Sequence, residues 1–269
     1  MQIKEYIQAW NNIRNSPQGF QFLQAGSGLC VSKEEFEQWN TQSTSVHLYL
    51  ANKNNEPCFY LIDEYHDQAQ EYILGQTIFE KQYIKPSLPP QQPPLKQHKP
   101  NELLQLIQKL LQVLDDEPNT STNKQKELIK ASFNQIIDQL KTPEEFAQFH
   151  QNLRNHVDAV IPGFRWLMYA PQWFEELAQA EQVVQAFEIP FQDFEFLFNQ
   201  EDCQEVFLFF ALKHTPNDSY RNAIDVFLAQ YDPQKDSNEE ISFVLANRIA
   251  DISTPCPPYS ATTNFPLLS

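Results

Sequence analysis

The stretch Pro86-Ser87-Leu88-Pro89-Pro90-Gln91-Gln92-Pro93-Pro94-Leu95-Lys96-Gln97-His98-Lys99-Pro100 carries six of the chain's 19 prolines and no glycine. Proline fixes φ and has no N–H to donate, so neither a helix nor a central strand runs through such a segment. An extended polyproline II spacer is its natural state. Read this way, it divides the 269 residues into a first domain over 1–85, a linker over 86–100 and a second domain over 101–269. The expected fold class is an α+β N-terminal domain with a small antiparallel sheet, followed by an all-α helical C-terminal domain, so that the chain is mostly helical overall.

Upstream of the spacer, Ile3, Tyr6, Ile7, Trp10 and Ile13 repeat at helical spacing and stop at Asn15-Ser16-Pro17. Gly19-Phe20-Gln21-Phe22-Leu23 alternates as a strand does, and with Leu29-Cys30-Val31 it reads as a hairpin. Ser32 and Glu35 stand at capping-box spacing and begin a helix carrying Phe36 and Trp39. Val46-His47-Leu48-Tyr49-Leu50 and Cys58-Phe59-Tyr60-Leu61-Ile62 are β-rich runs around the turn residues Lys53-Asn54-Asn55-Glu56, which predicts a second hairpin. Tyr72-Ile73-Leu74 and Thr77-Ile78-Phe79 flank Gly75 and read as one more bulged strand or as a short helix from Gln68.

Downstream, Leu103 to Leu114 and Lys124 to Leu140 carry helical apolar stripes, and Thr142-Pro143-Glu144-Glu145 opens a third helix. Pro171 opens another, with Trp173, Phe174, Leu177, Val184 and Phe187 along it. Phe191 to Leu212 is apolar nearly all round, the mark of a helix central to a bundle. Tyr220 to Tyr231 and Ser237 to Ile249 give the last helices, and the tail over 254–269 is anchored by Phe265, Leu267 and Leu268. No solenoid repeat emerges, since helix spacing varies and no residue signature recurs in 101–251.

The formal net charge is −16, and it is uneven: residues 171–251 hold 4 Lys and Arg against 16 Asp and Glu. A field of that sign repels phosphate backbones and anionic membranes and draws in basic partners. Direct nucleic-acid binding is therefore not expected. The start of the chain lacks a cationic segment followed by an apolar run, and no apolar stretch reaches the roughly 18 residues of a membrane span, so the reading is of a cytoplasmic protein. Cys30, Cys58, Cys203 and Cys256 are too widely spaced for a CxxC pair and read as reduced core thiols.

Motifs with a chemical mechanism are few. Asp63-Glu64-Tyr65-His66-Asp67 is the densest set of potential metal ligands, but consecutive residues point in different directions and no second set at ligand spacing supports it. His150 and His156, six apart, lie on different sides of a helix. Gly26-Ser27-Gly28 matches no phosphate loop or nucleophile elbow. The acid pairs Asp115-Asp116, Glu144-Glu145, Glu175-Glu176, Glu201-Asp202 and Glu239-Glu240 fall mostly at expected helix starts, where negative charge complements the macrodipole.

These observations lead to an expectation of a non-enzymatic acidic protein that binds and neutralises or escorts a basic protein partner, as an immunity protein, inhibitor, chaperone or adaptor does. No catalytic residue, metal or cofactor is assigned. The partner-binding candidates are Glu175, Glu176, Asp193, Glu201, Asp202 and Glu205, within the window where acids most outnumber bases. The alternatives are a hydrolase built on the loops around Cys30 and Asp63 to Asp67, with His47 or His66 as base, and a DNA mimic. An enzyme calls for a pocket with converging polar groups, a mimic for a charge row at duplex spacing, and a binder for a broad acidic face.

Overall fold

The structure is a computed structural model that describes residues 2–26, 28–84, 166, 169–200, 203–214, 222–231, 249–250, 253–257 and 259–268. The chain divides into two compact units, one made of residues 1–86 with 162–269 and the other of 87–161. Everything described belongs to the first. The spacer at 86–100, the helices expected between 103 and 157, and the helix expected from Ser237 lie outside the described residues.

The helix expected from Ile3 to Ile13 is α1, Gln2–Ile13, with Ile3, Ile7 and Trp10 buried. The next segment differs from expectation. Residues 19–23 belong to a helix, α2 (Pro17–Leu23), because Ser16 caps it by accepting the Gly19 N–H and Pro17 sits at its first turn. Strand β1 (Leu29–Ser32) then leads into the short α3 (Lys33–Phe36), whose Ser32–Glu35 capping box is fully formed. Strands β2 (Ser45–Lys53) and β3 (Glu56–Asp63) make the expected hairpin. Its two-residue turn, Asn54-Asn55, has φ of 56° and 65°, the left-handed pair that matches strand twist. After α4 (Glu64–Gln68) comes β4 (Ile78–Gln82).

The expectation of an all-α second domain, and of a helical bundle, is overturned. Residues 169–179 are helical (α5), but Ala186–Pro190 is a strand, β5. A short α6 (Phe191–Phe198) follows. The segments read as central helices are then the long strands β6 (Glu205–His214) and β7 (Asn222–Tyr231), with β8 (Ile249–Ala250) and β9 (Thr254–Cys256) after them. Two antiparallel sheets result, ordered β1-β6-β7-β8 and β4-β3-β2-β5-β9. Strands buried on both faces show no alternation, so Val206 to Leu212 imitates a buried helix.

Both sheets draw strands from both ends of the chain, and they are built to one plan. Leu29, Cys30, Val31 and Ser32 face Leu208, Phe207, Val206 and Glu205. Phe187, Glu188, Ile189 and Pro190 face Leu48, His47, Val46 and Ser45 in the same register. Ile62 and Leu61 face Ile78 and Phe79, as Ala229 and Leu228 face Ile249 and Ala250. The order helix, strand, short helix, hairpin, strand thus occurs twice, with β1, β2, β3 and β4 matching β5, β6, β7 and β8. Each copy gives its first strand to the other copy's hairpin. The equivalent helices α2 and α5 meet through Phe20 and Phe174, with ring centroids 5.1 Å apart. The short helices α3 and α6 meet through Phe36 and Phe198 (4.8 Å) and Trp39 and Phe194 (5.1 Å).

The facing sides of the sheets fuse into one core, where Phe210 lies 5.7 Å from Phe187 and 6.2 Å from Phe59. Gly28, just before β1, lets the chain run close to β6, since a Cβ there would sit 2.2 Å from the Leu208 carbonyl oxygen. The outer side of the five-stranded sheet is covered by Ile3 and Ile7 of α1 and by Phe265 and Leu267 of the tail, all packed with Tyr49, Ala51 and Tyr60. Among the described residues no helix is long and apolar enough to cross a membrane.

Candidate functional site

Asp63 ends β3 and caps α4, and one helical turn later Asp67 lies on the buried side. Both carboxylates are sealed from solvent. Each has a histidine beside it: His66 Nδ1 lies 2.5 Å from Asp63 Oδ2, and His47 Nδ1 lies 2.6 Å from Asp67 Oδ2. The Ser43 hydroxyl donates to Asp63 at 2.7 Å, and the Tyr49 hydroxyl donates to Asp67 Oδ2. Phe265 closes the group, with its ring 4.7 Å from that of His47. Burial, with the Asp67 charge next in weight, pushes the Tyr49 phenol well above its ordinary pKa, and Tyr72 is raised for the same reasons.

The repeat supplies an internal control on this cluster. The positions of His47 and Tyr49 on β2 correspond to Phe207 and Phe209 on β6. The fold is therefore satisfied there by apolar rings, and the polar network is a property of one copy only. Each carboxylate holds an imidazole, and His47, Tyr49 and Asp67 are shut away from solvent, with Asp67 Oδ1 buried without a hydrogen-bond partner. Only the Asp63–His66 pair reaches the surface, with the His66 side chain 16 % exposed. Among the described residues no group of three or more His, Cys, Asp or Glu could hold a metal ion.

The structure does not assemble the nucleophile of the hydrolase alternative. Cys30 lies in the four-stranded sheet opposite Phe207, whereas His47 belongs to the other sheet. Burial, assisted by Glu205, pushes its thiol up to about 12, which leaves it almost wholly protonated at neutral pH. All four cysteines are free. The crevice between the sheets at Leu48, Leu208 and Phe210 is apolar and too tight for a water molecule.

Of the partner-binding candidates, Glu175 and Glu176 are exposed on α5, Asp193 is half-buried on α6, and Glu205 is half-buried at the start of β6. Glu201 and Asp202 lie outside the described residues. The candidates do not share one helix face: β5 separates α5 from α6. The wider surface is more telling. Every exposed charge among the described residues is a glutamate, namely Glu5, Glu34, Glu37, Glu56, Glu71, Glu175, Glu176, Glu181 and Glu195. Lys4, Arg14, Lys33, Lys53, Lys81 and Lys213 are all half-buried. Lys53 pairs with Glu80 at 2.7 Å, Lys81 with Glu35, and Lys213 with the buried Asp225. Arg14 bonds the carbonyls of Val183 and Glu181, and burial lowers its pKa.

The sequence did not single out Glu34 of α3, Glu37 just past its end, or Glu195 and Phe196 of α6, all of which are exposed. Phe196 stood in an apolar run where only helix phase separates its 53 % exposure from the buried Phe194 and Phe198. Comparison of the chain with protein-family models, with curated proteins and with solved structures returns no match.

Proposed function

We propose that this is a non-enzymatic binding protein that captures a basic protein partner by electrostatic attraction and holds or neutralises it. The observation that carries the reading is the segregation of charge: among the described residues Lys53, Lys81, Lys213 and Arg14 turn onto carboxylates or carbonyls, Lys4 and Lys33 are half-buried, and the exposed charges are glutamates. Lysine and arginine normally lie exposed, so this distribution leaves a negative field that local ion pairs do not cancel. Such a field speeds the encounter with a basic partner and disfavours phosphate backbones. The exposed members of Glu175, Glu176, Asp193, Glu201, Asp202 and Glu205 are proposed to contribute to it.

The test is capture by the immobilised full chain from a lysate of its host, with bound proteins identified by mass spectrometry. The expected result is retention of a basic protein whose association slows as salt rises from about 50 to about 500 mM, a range that shortens the screening length severalfold. Glu175→Lys with Glu176→Lys should slow association further. An acidic partner, or binding indifferent to salt and to charge reversal, refutes the proposal.

A further inference from the structure

We propose that the seam between the two halves of this fold also joins separate chains, so that residues 1–86 of one chain complete residues 162–269 of a second, and the reverse. This stands apart from the binding reading above. Neither half closes its own core. Among the described residues β1 has no strand neighbour except β6, and β5 is the strand that covers the β2 edge of the β2–β3 hairpin. Leu29 and Val31 on β1, Val46 and Leu48 on β2, and Phe187 and Ile189 on β5 are all buried. Parting the halves would bare these residues together with open strand edges, and an open apolar edge is a template for pairing with another chain.

The seam has the parts of a specific protein–protein interface. Its apolar centre is aromatic: Phe36 and Trp39 meet Phe191, Phe194 and Phe198, and Phe20 meets Phe174. Directional contacts accompany it. Trp10 Nε1 donates to the Val184 carbonyl at 3.1 Å, the Val183 N–H donates to Asn15 Oδ1 at 3.2 Å, and Arg14 donates to the carbonyls of Val183 and Glu181. All of these bonds run from the first half to the second, so they match unlike halves. Because β1 pairs with β6 as β5 pairs with β2, two chains that exchange halves satisfy both pairings and leave neither edge bare, the closed form of domain swapping. The connection between the halves is what favours closure within one chain. It runs through residues 87–161, which form the other unit. A partner linked in this way acts at an effective concentration on the order of millimolar, and a second chain competes as its own concentration approaches that value.

Leu48 and Leu208 are buried at matching places in the two hairpins, each on the strand that meets the other half. Proline at either removes a ladder hydrogen bond from a central strand and disables that half. Full chains carrying Leu48→Pro and Leu208→Pro are unfolded in urea, then refolded separately and as an equal mixture, with tryptophan fluorescence and light scattering as readouts. Separately, neither should regain the parent's emission. Mixed, the intact first half of the Leu208→Pro chain should meet the intact second half of the Leu48→Pro chain. The product should be a two-chain species with about half the parent's emission change per chain, since two chains then make one complete fold. A mixture that recovers no more than the variants do apart overturns the proposal. So does either variant that recovers alone as a two-chain species, because like halves would then be pairing. Should a variant refold alone as a single chain, the parent decides: refolded at about 1 mM it should leave a two-chain species that refolding at micromolar concentration does not. A single-chain product at both concentrations then overturns the exchange.

Discussion

Replacing Phe265 by alanine tests whether the C-terminal tail is part of the core or lies loosely upon it. Phe265 is fully buried, its ring 4.7 Å from His47 and 5.8 Å from Tyr49, and it closes the chamber over Asp67. Truncation of a buried phenylalanine costs about 3–5 kcal/mol, the transfer term plus the cavity left behind. Here the floor of the cavity is polar, so water can enter and satisfy His47 and Asp67, which places the expected loss near the lower end, about 3 kcal/mol. That is a large fraction of the roughly 5–15 kcal/mol that holds a domain together. The assay is urea unfolding followed by tryptophan fluorescence. All four tryptophans, Trp10, Trp39, Trp166 and Trp173, lie in the unit formed by the two ends of the chain, so the signal reports that unit. Phe196→Ala, at an exposed ring, should stay within about 0.5 kcal/mol of the parent. A loss under about 1 kcal/mol for Phe265→Ala, far below the cost of a buried-ring cavity, would refute the placement of the tail in the core.

Two further outcomes follow from buried titratable groups. Burial raises the phenols of Tyr49, Tyr60, Tyr72 and Tyr83; a raised folded pKa stabilises below the unfolded value and is lost above it, so stability should fall as pH rises past about 10, and Tyr49→Phe should flatten that fall in an alkaline unfolding series. Asp225 is raised by burial and held down in part by Lys213, so Lys213→Met should cost about 1–3 kcal/mol at pH 7 by leaving a buried carboxylate short of its cation. The deficit should shrink as pH falls through the raised pKa of Asp225, which lies above the ordinary aspartate value and higher still without Lys213, and the carboxylate takes up a proton; a deficit independent of pH would show that Lys213 acts through packing alone.

What the sequence determined by itself is local. The spacing of Ile3, Ile7 and Trp10 specifies α1, Ser32 and Glu35 specify the start of α3, and Asn54-Asn55 between two β-rich runs specifies the β2–β3 hairpin, because each signal is complete within a few residues. The acidic imbalance is legible in the same way, as a count. The tertiary structure alone decided that Ala186–Pro190, Glu205–His214 and Asn222–Tyr231 are strands. Their apolar runs fit a buried helix equally well, and the choice falls to hydrogen-bond partners such as Val31 for Val206 and Val46 for Ile189, more than 140 residues away in the chain. The repeat shows the same limit. Its clearest trace in the sequence is Pro-Gln-x-Phe-x-x-Leu at 17–23 and again at 171–177, because a duplicated fold constrains which positions are buried far more tightly than which apolar residue fills them. The inward turn of Lys53 onto Glu80, of Lys81 onto Glu35 and of Lys213 onto Asp225 depends on tertiary packing of the same kind, so the segregation of charge could be read only once the sheets were in place.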